Sequence, residues 1–209
     1  MAGQSFEALF GAIVADIDAD MRAARAAQTP VAPILWEVID YQFGWDLADE
    51  RAARRVGGKK IRPLLMALVA QAVCGRYQHV LPAATALEFI HNFTLIHDDV
   101  MDKSEERRHR PTVWTRWGAY QAINAGDGLY ALGNLAVTRL EALGTPPARI
   151  VGVLRSLAQA CLWTAEGQIL DMDFETRQQV STADYVTMVA NKSATLIEAA
   201  SSAMARATR

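Results

Sequence analysis

An acidic pentapeptide, Asp98-Asp99-Val100-Met101-Asp102, follows an apolar stretch with helical character. Residues four apart lie on one face of a helix, separated by about 6 Å of rise, so Asp98 and Asp102 should point the same way. Two bare carboxylates on one face repel each other, whereas Mg²⁺ binds through one or two carboxylates together with substrate phosphates. The pattern therefore predicts a Mg²⁺ site. For an isolated pattern of this kind, a solvated acidic helix end is the competing interpretation.

Two basic segments have residue types suited to phosphate. In Gly57-Gly58-Lys59-Lys60-Ile61-Arg62-Pro63, glycines and basic residues precede a helix start, where backbone N–H groups and the helix dipole favour an anion. In Arg107-Arg108-His109-Arg110-Pro111-Thr112, arginine forks match phosphate oxygens. Each segment alone is also compatible with a basic surface turn, the second one balancing Glu105 and Glu106.

Further polar residues stand at helical spacing. His91 precedes Asp98 by seven residues, two turns of one face, although a lone histidine on an apolar helix is more often a core residue. Gln168 and Asp171 share a face, and a polar helix end explains them equally well. Lys192-Ser193 places a charge inside an apolar helix, where a lysine needs an anionic partner.

The elements that must position these residues are predicted to be helices. The chain has 209 residues, of which 51% are hydrophobic, and alanine and leucine are frequent while alternating β-branched runs are few. We therefore expect an all-α bundle with active groups projecting from facing helices. Predicted helices cover residues 5–27, 34–43, 47–55, 62–73, 82 through the aspartates, 115–124, 129–143, 147–171 and 185 onward, with a break at Gly126 and Gly128 and a helix start at Ser181.

The composition also excludes several classes of protein. The net charge of −2 gives no sign of nucleic-acid binding, and no apolar run is as long as a membrane span. The N-terminal region has acidic residues inside an amphipathic pattern and does not resemble a signal peptide. Cys74 and Cys161 lie in apolar helical contexts, so we predict two buried, unpaired thiols and a cytoplasmic location.

Taken together and in this order, the segments resemble the trans-isoprenyl diphosphate synthases, or polyprenyl synthetases. The resemblance covers nearly the whole chain, as one domain over residues 1–209, and implies a helical bundle of the isoprenoid-synthase type. The segments that carry it lie at residues 57–63, 95–102, 107–108, 111–113, 167–168 and 192–193.

The resemblance implies a Mg²⁺-dependent, head-to-tail condensation of isopentenyl diphosphate with an allylic diphosphate (dimethylallyl, geranyl or farnesyl). It makes Asp98, Asp99, Asp102 and Lys192 catalytic and gives the metal to Asp98, Asp102 and Asp171. Lys59, Arg62, His91 and Arg108 would bind isopentenyl diphosphate. Arg107, Gln168, Lys192 and Ser193 would contact the allylic diphosphate.

The length of the product is implied by the residues before the aspartates. In the family, bulk at the position of Phe93 blocks the growing tail, and Thr94 beside it is small. Together with the absence of an insertion in the acidic pentapeptide, this resembles short-chain synthases, with geranylgeranyl diphosphate favoured over farnesyl diphosphate. The family also implies a homodimer.

The sequence departs from the family in one respect, since no second aspartate-rich motif is present downstream. We expect, on this ground, that the bundle is incomplete at its C-terminus and that this chain alone is weakly active or inactive. A non-catalytic subunit of a heteromeric synthase is one alternative. The other alternative is a terpene cyclase, which ionises a diphosphate without condensing it. A cyclase needs no isopentenyl diphosphate site, so Lys59, Arg62 and Arg108 argue against it.

Overall fold

Helices form almost all the regular structure in the computed structural model, which describes residues 6–200. The nine α-helices among these residues are α1 (Phe6–Ala26), α2 (Pro33–Phe43), α3 (Glu50–Gly57), α4 (Ile61–Cys74), α5 (Leu81–Met101), α6 (Val113–Trp117), α7 (Ala119–Thr138), α8 (Pro147–Phe174) and α9 (Thr182–Val189). Short 3₁₀ turns cover Gln78–Val80 and Arg139–Leu143. A π-turn covers Ala190–Ala194 and residues 195–200 are again α-helical. The all-α prediction is confirmed.

Outside the helices, the regular structure of residues 6–200 is one small hairpin. Strands β1 (Glu106–Arg107) and β2 (Arg110–Pro111) pair antiparallel in the connection after α5. The predicted Ser5 helix start, and the predicted helical residues after 200, lie outside the described part of the chain. No helix within residues 6–200 is both long and apolar enough to cross a membrane, as the sequence predicts.

Helix α5 lies at the centre of the core. Its residues 82–90 are all buried, because α1, α4 and α7 pack around it, and all of them except Thr85 and Glu88 are apolar. The closest approach is to α7, where a Cβ on Gly133 would meet the Ile90 side chain and the Ala86 carbonyl oxygen. This packing fixes the axis of α5, and with it the position of the aspartates at its C-terminal end.

The predicted break at Gly126 and Gly128 is wrong, since α7 runs through both glycines. Gly126 is buried against α5, and a Cβ there would overlap the imidazole of His97. Close helix packing therefore explains this glycine. The real break lies at Gly118, which has a φ of +84° and separates α6 from α7.

Two further sequence predictions have different outcomes. The helix start at Ser181 is confirmed by a capping box, in which the Asp184 N–H donates to Ser181 Oγ at 3.1 Å and the Ser181 N–H donates to Asp184 Oδ2 at 3.2 Å. The burial predicted for Cys74 is wrong. This residue ends α4 next to the left-handed cap Gly75, and its side chain is exposed, while Cys161 is partly buried and both thiols are free.

Candidate active site

Polar side chains from three elements meet at the C-terminal end of α5. Asp98 lies in the last turn of α5, and Asp102 follows its last residue with helical backbone angles, donating its N–H to the Asp98 carbonyl at 2.8 Å. The two carboxylates therefore stay on one face, as their spacing predicts. Gln168 and Asp171 come from α8 and Lys192 from the π-turn. We call Asp98, Asp102, Gln168, Asp171 and Lys192 the acidic site.

Direct contacts join the members of the acidic site. Gln168 Nε2 donates to Asp102 Oδ1 at 3.3 Å, and the ammonium of Lys192 forms an ion pair with Asp171. Asp171 is thus the anionic partner that Lys192 requires. Gln168 Oε1 is buried and has no hydrogen-bond partner among the described residues. The structure therefore brings together four of the predicted metal and allylic-diphosphate residues around Asp98.

Burial raises the pKa of Asp98 to about 6, and the neighbouring charges of Asp102 and Asp99 add to the increase, while Lys192 and Arg107 oppose it. For Lys192, burial lowers the pKa, but the hydrogen bond and charge of Asp171, with the charges of Asp98 and Asp102, raise it overall. Asp98 thus lacks sufficient positive charge nearby. A divalent cation would supply that charge.

The donor set also fits Mg²⁺ in particular. Within residues 6–200, no three His, Cys, Asp or Glu side chains form a cluster that holds a metal by itself. Mg²⁺ commonly retains waters and takes one or two carboxylates plus ligand phosphates, which matches the Asp98 and Asp102 pair. Asp98 and Asp102 would hold the ion, and Asp171, predicted as a third ligand, is paired with Lys192 here.

The π-turn brings Lys192 close to α8. A Cβ on Gly167 would overlap the backbone of Asn191 and Lys192, so only glycine permits this approach. Such turns insert a residue into a helix and redirect the side chains that follow. Ser193, the next residue, is exposed.

Asp99 points away from the acidic site and binds the hairpin. Its side chain is 3% exposed and accepts from Arg107 Nε at 3.0 Å on both oxygens and from Arg107 Nη2 at 2.8 Å. A bidentate pair of this kind fixes orientation as well as distance. Asp99 therefore anchors the strand that carries Arg107 and leads to Arg108, and the catalytic role implied for it stays a prediction.

The hairpin places Arg108 over the α3–α4 loop. Arg107 pairs with Arg110 across the two strands, which leaves Arg108 and His109 as a two-residue turn with φ of +55° and +62°. Two positive φ values are typical of a type I′ turn, where glycine or asparagine is preferred. The guanidinium of Arg108 crosses to Gly58, where a Cβ would overlap it, and donates to the Val56 carbonyl.

This arrangement encloses a second region, a cavity of about 360 Å³ that we call the basic cavity. Its lining residues are Arg55, Gly58, Lys59, Lys60, Ile61, Arg62, Glu88, His91 and Arg108. All four residues predicted to bind isopentenyl diphosphate therefore lie in one cavity, although they come from the α3–α4 loop, α4, α5 and the hairpin.

Several donors in the basic cavity have no partner. Arg62 Nη1 lies 3.0 Å from His91 Nε2, while Arg62 Nε and His91 Nδ1 are buried without a hydrogen-bond partner in the described residues. Burial lowers the pKa of His91 to about 3, helped by the charges of Arg62, Arg108 and Arg107. The imidazole is therefore neutral. Because Nε2 accepts from Arg62, Nδ1 carries the hydrogen and is a free donor.

Sequence reasoning did not predict the role of Lys60. Lys59 lines the basic cavity and is exposed, whereas Lys60 is 7% exposed, has a φ of +48° and lies with its Nζ 3.2 Å from Asp18 Oδ1 on α1. Glu88 was also missed, although a charge inside an otherwise apolar stretch of α5 was a visible signal. Its side chain is 2% exposed and reaches the same cavity.

The predicted chain-length residues lie beside the acidic site on α5. The Phe93 ring is partly buried, with centroid distances of 4.7 Å to His97 and 5.4 Å to Tyr130 of α7. Thr94 Oγ1 donates to the His91 carbonyl at 2.8 Å, so its methyl group is the part left to face outward. Phe93 is held by rings on two helices, which limits its movement.

Comparison with known proteins identifies consistent relatives. The family described as polyprenyl synthetase matches residues 50–209. A geranylgeranyl diphosphate synthase of Methanosarcina mazei is 44% identical over 144 residues, which is 69% of this chain and 44% of that protein. A (2E,6E)-farnesyl diphosphate synthase of Mycobacterium bovis is 35% identical over 167 residues, 80% of this chain and 45% of that protein.

Comparison with solved structures identifies proteins of the same family. A crystal structure of a polyprenyl synthetase from Streptomyces coelicolor superposes with a TM-score of 0.82 at 36% identity, covering 97% of this chain and 58% of that one. The predicted isoprenoid-synthase-type bundle is therefore confirmed for the described residues. The chain spans about half the length of the curated relatives it matches.

Proposed function

This chain belongs to the polyprenyl synthetase family, and we propose that it performs the condensation of isopentenyl diphosphate with an allylic diphosphate, as part of a short-chain prenyltransferase. The observation that carries the proposal is that one helix, α5, contributes residues to both the acidic site and the basic cavity. Asp98 and Asp102 belong to the acidic site, whereas His91 and Glu88 of the same helix line the basic cavity. One site suits a metal-bound diphosphate and the other a diphosphate held by cations alone.

In the proposed mechanism, the acidic site binds the allylic diphosphate. When bound there, Mg²⁺ supplies Lewis-acid stabilisation of the negative charge on the departing diphosphate. Lys192 lies in the same site and would stabilise the same charge through its ammonium. Gln168 Oε1 is an acceptor and would instead serve as an oxygen ligand to the ion or to its waters. Arg107 holds Asp99 and thereby orients the end of α5.

The basic cavity would bind isopentenyl diphosphate. Arg62 Nε and the Nδ1 hydrogen of His91 are unpaired donors that a diphosphate oxygen can accept from, and Arg108 and Lys59 add positive charge. A terpene cyclase ionises a single diphosphate and has no use for a second, cation-lined cavity. This cavity therefore favours condensation over cyclisation.

The growing tail would extend along α5 from Asp98 towards Phe93. We propose geranylgeranyl diphosphate as the product, with farnesyl diphosphate as the second choice. The Phe93 ring, which is braced by His97 and Tyr130, would form the floor, while Thr94 beside it is small and the acidic pentapeptide has no insertion. Relatives with both names are similar to this chain. Phe93→Ala should give a longer product, and chromatography showing an unchanged chain length would reject Phe93 as the floor.

Labelled isopentenyl diphosphate, offered with dimethylallyl, geranyl and farnesyl diphosphates, tests the proposed reaction. We expect Mg²⁺-dependent label in a prenyl product that disappears in Asp98→Asn. The same samples should also be examined for binding of both diphosphates. Hydrocarbon release without incorporation of label would indicate a cyclase. Failure to bind isopentenyl diphosphate would refute the assignment of the basic cavity.

Two further expectations stay predictions. The family resemblance implies a homodimer, and the unpaired cysteines predict a cytoplasmic location. Size-exclusion chromatography with light scattering tests the first, and cell fractionation tests the second.

A further inference from the structure

Glu88 is a buried carboxylate that the proposed mechanism does not use. It lies in the middle of α5, its side chain is 2% exposed, and it lines the basic cavity beside Arg62 and Arg108. A carboxylate inside a cavity that binds an anion is unexpected, because its charge repels the ligand. Its presence therefore requires a physical explanation.

The hydrogen bonding of Glu88 is incomplete. Oε1 accepts from Asn92 Nδ2 at 3.1 Å, and the Asn92 side chain in turn accepts from Gln42 Nε2 of α2 at 3.1 Å. Oε2 is buried and has no hydrogen-bond partner among the described residues. A buried polar atom without a partner costs free energy, so one position on this carboxylate is open to a proton or a donor.

Positive groups from three elements surround Glu88. Lys60 at the start of α4, Arg62 on α4 and Arg108 on the hairpin all act on it electrostatically, and Lys59, Arg55 and the neutral His91 line the same cavity. Burial raises the pKa of Glu88, and Lys60, the Asn92 hydrogen bond, Arg108 and Arg62 oppose that increase. Burial is the largest of these effects, so the pKa of Glu88 lies above its ordinary value in the empty cavity, and the cations limit that increase.

A bound diphosphate would counteract those cations. Its negative charge neutralises the field of Arg62 and Arg108 and repels the Glu88 carboxylate at short range, where screening by water is weak. We propose that Glu88 takes up a proton from solvent when the basic cavity binds a diphosphate, and that this coupling limits the affinity of the cavity. The proposal rests on the proposed function, since it takes that cavity as the isopentenyl diphosphate site.

Such coupling has a defined consequence for a site that must release its ligand. If binding takes up a proton, affinity falls as pH rises above the value at which Glu88 ionises in the empty cavity. Near neutral pH the carboxylate then lowers the affinity that the surrounding cations give the cavity for a diphosphate. A moderate affinity allows the elongated diphosphate to leave the cavity after each condensation.

Calorimetry on the 209-residue chain tests the proposal. Isopentenyl diphosphate is titrated at pH 7.5 with EDTA present, so that the metal-dependent acidic site does not contribute, in two buffers that differ in ionisation enthalpy. We expect the native chain to take up at least about half a proton more than Glu88→Gln, and Glu88→Gln to bind about three- to tenfold more tightly, since a pKa unit corresponds to tenfold in binding. Glu175→Gln, an exposed control on the surface, should behave as the native chain.

The outcomes separate the two levels of the argument. Equal proton uptake by the native chain and Glu88→Gln, with binding intact, would overturn this inference and leave the proposed function standing. No binding by the native chain would overturn both. Infrared difference spectra of the native chain give a second measurement that needs no variant. A protonated carboxyl band that appears on ligand addition and shifts with ¹³C-glutamate supports the proposal, and its absence refutes it.

Discussion

The acidic site and the basic cavity solve the problem of binding a diphosphate in opposite ways. In the acidic site, Lys192 is paired with Asp171 and Gln168 Nε2 with Asp102, although Gln168 Oε1 has no partner among the described residues. In the basic cavity, Arg62 Nε and His91 Nδ1 are buried donors without partners among the described residues. The first region must rearrange its contacts around a cation, whereas the second is organised for an anion before it arrives.

The largest effect should come from the acidic site. Asp98→Asn removes one of the two carboxylates available to Mg²⁺ and the charge that Lys192 faces, so we expect turnover to fall about 10²- to 10³-fold, the range typical for loss of one transition-state contact. Mg²⁺-dependent incorporation of labelled isopentenyl diphosphate measures it. Asp127→Asn, at an exposed carboxylate on α7, is the matched control. Equal activities of the two variants would remove Asp98 from the mechanism.

Substitutions in the basic cavity should have a smaller effect, and it should appear in KM and not in kcat. Arg62→Met removes a partly buried charged donor, and hydrogen bonds to charged groups contribute about 1.5–3 kcal/mol, so the KM for isopentenyl diphosphate should rise about 10- to 100-fold while kcat changes little. Lys59→Met, at an exposed residue of the same cavity, should raise KM less. Arg54→Met on the exposed side of α3 is the control.

If Arg62→Met lowers kcat as strongly as it raises KM, the two regions do not act separately. The comparison would then have to be replaced by a single, continuous site in which the cations of the basic cavity also stabilise the departing diphosphate.

The two regions also differ in how far the sequence predicts them. The carboxylates of Asp98 and Asp102 are placed by helical periodicity alone, and the face they share is fixed by four residues of spacing. The pairing of Lys60 with Asp18 joins residues on separate helices and depends on how α1 packs beside the α3–α4 loop. No local pattern contains that information. The same limit explains Gly126, where a glycine that suggests a break instead allows α5 and α7 to approach.

The shortage of positive charge around Asp98 can be tested through the pH dependence of stability. Because the pKa of Asp98 is raised from 3.8 to about 6, the folded state binds more protons than the unfolded state between these values, and stability falls as pH rises through that window. Without metal at pH 7.5, Asp98→Asn should therefore raise the free energy of unfolding by about 1 kcal/mol, allowing for partial solvent exposure. Urea unfolding with EDTA measures it.

The same variant gives its own control. Well below pH 3.8 the native carboxyl becomes protonated in the unfolded state as well, so the difference between Asp98→Asn and the native chain should shrink towards zero there. A stabilisation that persists undiminished at pH 3.5 would mean that repacking, and not charge, is responsible, and Asp98 would no longer indicate a deficit of positive charge.

The smallest effect concerns the turn that carries Arg108 into the basic cavity. His109 has a φ of +62° and a fully exposed side chain, whose Nδ1 lies 3.6 Å from Glu106 Oε1. Glycine adopts this conformation without strain, although it loses more entropy on folding, so His109→Gly should raise the free energy of unfolding by about 0.5 kcal/mol. Lys103→Gly, at φ +52° outside the cavity, is a matched control for the backbone term.

The affinity for isopentenyl diphosphate shows whether the strained turn at His109 helps to hold Arg108 in the basic cavity. If the basic cavity is organised in advance by the Asp99–Arg107 pair and the strand pairing, relaxing one turn residue should leave the affinity for isopentenyl diphosphate within about twofold of the native value, since ~0.4 kcal/mol corresponds to that factor. A tenfold change in His109→Gly but not in Lys103→Gly would show that the left-handed histidine itself holds Arg108 over Gly58. The cavity would then depend on a strained turn, and its donors would not be fixed before the ligand binds.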